Sequence, residues 1–140
     1  QLQFYGNSLT THYPTHAEGF NQNINSQGFG SANLARRSVD MYQQYIAISL
    51  LFGVQAAELR SKIVAGHYDA SQTISENTLP LYSAIYEVIG RDFDEKQSLI
   101  WNDFEQRMDE YIAAITEDIR VGGAIVVAVE NVKKELFRKS

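Results

Sequence analysis

Glu18, Asn21 and Gln22 stand at i, i+3 and i+4, so one helical turn sets all three on one face. A carboxylate beside two amides suits an amino acid at both of its ends. Glu18 can accept charge-assisted bonds from an ammonium group, and Asn21 and Gln22 can donate to carboxylate oxygens. If the cluster lies near the N-terminus of the helix that follows, the helix dipole favours an anionic substrate group there. The same residues could instead cap and tie a loop, and spacing alone favours that plainer use. Tyr5, Tyr13, Tyr42 and Tyr45 offer rings for an aromatic pocket, although the helical spacing of Tyr42 and Tyr45 suits a core or an interface better.

Other constellations fail on chemistry. His16-Ala17-Glu18 has the His-x-Glu spacing of zinc deaminases, but the chain holds no cysteine to complete such a site. His12, His16 and His67 lack helical ligand spacing, so no metal site is expected. Asp92-Phe93-Asp94 opens like a calcium loop without the glycine or the final glutamate that such a loop needs, which leaves a solvated turn. Neither a glycine-rich phosphate loop nor a serine-histidine-acid pattern is visible.

The 140 residues are 44% hydrophobic and 21% charged, a balance that suits one compact domain. Seventeen acidic against 12 basic residues give a net charge of -5. That sign gives no electrostatic reason to bind nucleic acid or an anionic membrane, and neither is expected as a partner. The absence of cysteine removes disulfides and thiol chemistry and fits a reducing, cytoplasmic compartment. No basic-then-apolar leader pattern opens the chain. Its start, Gln1-Leu2-Gln3-Phe4-Tyr5, reads as the middle of something longer. The longest apolar stretch, 45–57, is interrupted by Ser49, Gly53 and Gln55 and falls short of the roughly 20 residues that span a bilayer.

The periodicity predicts an all-α chain, a long-helix bundle forming a single helical segment over 1–140. Residues 1–30 read as a partial helix followed by an amide-rich loop, with Gly19, Gly28, Gly30, Asn21, Asn23 and Asn25 as its signals. Loops of that length are usually functional or disordered. Ser31 is a plausible N-cap for a long core helix over 31–66. Its stretch 46–54 is apolar on nearly every side, so other helices should enclose it, within the chain or across subunits. Residues 75–140 should hold three shorter helices. The first follows Ser75 as N-cap, although Pro80 suggests a start near Leu79, and ends at Gly90. A charged, exposed stretch over 91–97 comes next. The second helix covers 103–119, with Phe104, Met108, Tyr111, Ile112 and Ile115 on one stripe, and Gly122-Gly123 breaks it. The last carries Ile125, Val126, Val129, Val132 and Leu136. No strand alternation and no internal repeat are evident.

The stretch Tyr13-Pro14-Thr15-His16-Ala17-Glu18-Gly19-Phe20-Asn21-Gln22-Asn23-Ile24-Asn25-Ser26-Gln27-Gly28 closely resembles a segment of the aromatic amino-acid ammonia-lyases, above all the cyanobacterial phenylalanine ammonia-lyase type. The likeness continues through Ser31-Ala32-Asn33-Leu34-Ala35-Arg36-Arg37-Ser38-Val39-Asp40 and Phe52-Gly53-Val54-Gln55-Ala56-Ala57-Glu58-Leu59-Arg60. It recurs in Gly66-His67-Tyr68-Asp69-Ala70 and Ile100-Trp101-Asn102-Asp103, so it covers nearly the whole chain. The resemblance implies the C-terminal portion of a homotetrameric, helical lyase that removes ammonia from L-phenylalanine or L-tyrosine to give the trans-arylacrylate. Its electrophile is a methylidene-imidazolone made from an internal Ala-Ser-Gly. By motif, Glu18 would be the carboxylate near the substrate amine and cofactor, and Asn21 and Gln22 the amides near the electrophile and substrate. Histidine-specific members usually carry glutamate where Gln22 stands, which disfavours histidine as substrate.

This chain contains no Ala-Ser-Gly, and the family's catalytic tyrosines and carboxylate-binding arginine lie upstream of the matching segment. The chain alone is therefore expected to be inert. Two other readings remain open: an aromatic amino-acid 2,3-aminomutase of the same family, and a non-catalytic helical oligomerisation module.

Overall fold

A computed structural model describes residues 28–100 and 107–138. Four α-helices and one short 3-10 turn make up these residues, and no strand occurs among them. Helix α1 runs over Gly28–Ala65, followed by the 3-10 turn Ala70–Gln72, α2 over Leu79–Ile89, α3 over Met108–Val121 and α4 over Ala124–Arg138. The all-α expectation holds. The chain divides into two compact units between Gln43 and Gln44, inside α1.

In the first unit the described residues are the opening of α1. Ser31, expected as its N-cap, lies within the helix, which starts at Gly28. Once a long helix is nucleated each further residue adds a hydrogen bond, and that offsets the roughly 1 kcal/mol a glycine costs. Ser38 Oγ donates back to the Ala35 carbonyl at 2.7 Å, and Leu34, Ser38 and Met41 are half-buried.

In the second unit α1 turns one face inward. Ala47, Leu51, Val54, Glu58 and Ser61 are buried, in steps of four, three, four and three residues that keep one stripe of a helix facing its neighbours. Opposite them, Ile48, Phe52, Leu59 and Ile63 form an outward apolar stripe, with Phe52 63% and Ile63 80% exposed. The expected enclosure of 46–54 is therefore met on one side only within this unit.

The shorter helices complete the core with Tyr82, Ile85, Tyr86 and Ile89 from α2, Tyr111 and Ile115 from α3, and Ile125 and Ala128 from α4. Helix α2 packs on both α3 and α4, and those two pack on each other. Pro80 sits in the first turn of α2, where its missing N–H is no loss. Ser75 does not cap that helix. Its carbonyl accepts from Thr78 and Leu79 N–H in a preceding turn, and its hydroxyl meets Thr78 Oγ1 at 2.9 Å.

Helix α3 begins five residues later than its spacing suggests. Arg107 leaves helical geometry at ψ 10°, and Asp109 and Glu110 then place negative charge at the positive end of the helix dipole. Residues 103–106, Phe104 among them, lie outside the described residues. In α4 the buried side is Ile125 and Ala128, while Val129 and Leu136 are exposed, so the inward stripe is offset from the one expected. Gly90 and Gly122, at φ 65° and 72°, end α2 and α3 in the left-handed region that a Cβ disfavours.

Candidate functional site

Glu18, Asn21 and Gln22 lie outside the described residues, as do Tyr5 and Tyr13. Tyr42 and Tyr45 are on α1, 55% and 58% exposed, and line no described pocket. The described polar centre is another carboxylate, Glu58, which no short motif in the sequence marks as chemical.

Glu58 is on the inward stripe of α1 and 1% exposed. Its Oε1 accepts from the Tyr82 hydroxyl at 3.3 Å and from the Tyr86 hydroxyl, while the Leu99 N–H donates to Oε2 at 2.7 Å. One turn earlier, Gln55 Oε1 accepts from the Ile100 N–H at 3.3 Å. Tyr82 and Tyr86 can share one acceptor because they are four residues apart on α2, hence on one face. Phe93 closes the cluster. Its ring stacks on Tyr82 at 5.0 Å between centroids and meets Tyr86 edge-on at 4.8 Å, both favoured aromatic geometries.

Electrostatics follow from burial. Desolvation raises the Glu58 carboxyl above its ordinary value. The hydrogen bonds from Tyr86, Leu99 N–H and Tyr82 pull it back down, and Asp69 pushes it up a little further. Burial also pushes both phenols well above the usual tyrosine range, with the neighbouring Glu58 adding to the shift. Tyr82 and Tyr86 are therefore held as neutral donors and cannot serve as bases. A carboxylate 1% exposed and already accepting three hydrogen bonds has no room for a substrate, so the cluster is architectural. The signal was present in the sequence: Glu58 stands four residues after Val54, on the next step of an apolar stripe.

Nearby, an apolar groove of about 170 Å³ is lined by Leu50, Gly53, Val54, Ile74, Leu81 and Ile85, among others. No charged side chain lines it, so nothing there could hold the ends of an amino acid. Among the described residues no cluster of histidine, aspartate and glutamate could hold a metal ion, and no helix is long and apolar enough to cross a membrane.

The chain belongs to the aromatic amino acid lyase family, whose profile matches residues 1–87. It is 57% identical over 135 residues to the "Phenylalanine ammonia-lyase" of Nostoc punctiforme, covering 96% of this chain and 24% of that protein. To the "Aromatic ammonia-lyase" of Loktanella atrilutea it is 35% identical over 136 residues, covering 97% of this chain and 25% of that one. The chain thus spans about a quarter of the length of the curated relatives it matches.

Proposed function

We propose that this chain serves in an aromatic amino-acid ammonia-lyase, acting on L-phenylalanine or L-tyrosine, and that it supplies substrate-holding groups without the electrophile. Membership of the lyase family carries the reading, together with a match to a phenylalanine ammonia-lyase over nearly the whole chain. The methylidene-imidazolone of the family needs Ala-Ser-Gly, which this sequence lacks, so another stretch of polypeptide must provide it. No step through that group is derived from this chain.

The chain's own contribution is binding and orientation. Glu18 accepts from the substrate ammonium, and Asn21 and Gln22 donate to its carboxylate or to oxygens near the reacting centre. The outward apolar stripe of Ile48, Phe52, Leu59 and Ile63 supports assembly into a homo-oligomer, with a tetramer the expected form.

The test is a transplant. This chain replaces the matching quarter of the Nostoc punctiforme enzyme, and Glu18→Gln and Gln22→Ala are introduced into the hybrid. Each is expected to lower turnover about 10²-fold or more, the usual size of a lost polar contact at a reacting centre, with the oligomer's mass unchanged. Loss of assembly together with turnover would favour the oligomerisation-module reading. Product analysis separates the lyase from the aminomutase, since a 3-amino product in place of the arylacrylate identifies the latter.

A further inference from the structure

Residues 91–100 carry no helix, yet they are tied down at five separate points, the first being the Arg91 N–H, which donates to the Tyr86 carbonyl at 3.1 Å. Leu99 N–H donates to Glu58 and Ile100 N–H to Gln55, both on α1. Tyr68 N–H donates to the Glu95 carbonyl at 2.9 Å, and Phe93 lies over Tyr82 and Tyr86 of α2. Residues 92–97 are exposed, Phe93 reaching the core through one ring face, whereas Leu99 and Ile100 are half-buried against the core. Ser98 is 3% exposed with its hydroxyl unpaired, so its burial follows from the pinning on either side and gives none of it.

A segment without helical hydrogen bonds, held by a handful of polar pins, one ring and the two partly buried side chains of Leu99 and Ile100, opens locally at lower free energy than the helices beneath it. We propose that residues 91–100 are a releasable strap over the junction of α1 and α2, pinned by Glu58 and Gln55 and clamped by Phe93. It lifts as a unit while the helices stay folded. When it lifts, water reaches the Glu58 carboxylate and the faces of Tyr82 and Tyr86. The pins are cooperative, because Glu58 also holds the two tyrosines that form the seat for Phe93.

Hydrogen exchange of the full chain, read peptide by peptide, tests this in wild type and in Glu58→Ala, Gln55→Ala, Phe93→Ala and Leu51→Ala. The first three should speed exchange over 91–100 by about tenfold, the factor expected of one lost pin, while peptides from α3 and α4 stay within about twofold, as do those from α2 in Gln55→Ala and Phe93→Ala. Tryptic cleavage after Lys96 should accelerate in parallel. Leu51→Ala, which opens a cavity in the core, should instead speed all regions together. Gln55→Ala and Phe93→Ala leave no buried charge unpaired, so they decide the matter even if Glu58→Ala does not fold. Exchange over 91–100 that keeps step with the helices in these variants, or does not change in any of them, would overturn the strap.

Discussion

Glu58 is stabilised by what donates to it and destabilised by the water it has lost, and the balance sets how the fold responds to pH. Unfolded, its carboxyl titrates near its ordinary 4.5; folded, desolvation holds it higher despite the bonds from Tyr86, Leu99 and Tyr82 and with Asp69 adding to the rise. Between the two values the folded chain binds more protons than the unfolded one, so Glu58 costs stability as pH rises through that window. Glu58→Gln removes the titration and keeps an acceptor for the Leu99 N–H. Urea midpoints from acid to neutral pH should therefore show wild type losing ground to Glu58→Gln as pH rises above about 4.5. A constant difference, or a gain by wild type, would show that the three donors outweigh burial. The two phenols remain protonated throughout, so they add no second transition.

At the scale of elements, most of the helices are legible in the pattern of apolar residues. The all-α class, the start of α2 at Leu79 forced by Pro80, and the stops at Gly66, Gly90 and Gly122 follow from residues whose backbone chemistry leaves few choices. The starts of α1 and α3 are harder to read, because an N-terminus is set by a balance of weak terms. Ser31 has the chemistry of a cap without the position, and Arg107 has the position without capping with its side chain.

The junction of α3 and α4 depends on a contact that no short pattern announces. The Asp118 carboxylate accepts from the Ala124 and Ile125 N–H groups at 2.8 and 2.9 Å, capping α4 from inside the last turn of α3. Gly123 leaves the room for it, since a Cβ there would sit 2.0 Å from Asp118 Oδ1. Asp118→Ala should cost about 1 kcal/mol in thermal or urea unfolding, the usual value of a lost cap. Gly123→Ala should cost at least as much, because it displaces the same carboxylate. A Gly123→Ala protein as stable as wild type would mean that the cap is dispensable.

At the scale of the whole molecule, what the sequence says about chemistry and what the fold says about packing fall on different residues. Glu18, Asn21 and Gln22 attract notice because polar groups at helical spacing suit an amino acid, yet only their likeness to a lyase segment raises them above a capped loop. Glu58 looks like one more charged residue until the stripe of Ala47, Leu51 and Val54 is continued by one step. Long-range partners such as Tyr82, Tyr86 and Leu99 are more than 20 residues away, and nothing local in the sequence pairs them with it. The apolar face of α1 is exposed within this unit, and it is the face the proposed assembly would use.

The central claim is that this chain furnishes the substrate-holding side of a lyase whose electrophile is made elsewhere. Cinnamate absorbance on adding L-phenylalanine tests it most directly, with the purified chain in one cuvette and the Nostoc punctiforme hybrid carrying it in another. The claim predicts silence from the chain and steady cinnamate formation by the hybrid. Turnover by the chain alone, or a hybrid that assembles like its parent yet makes no cinnamate, would contradict it.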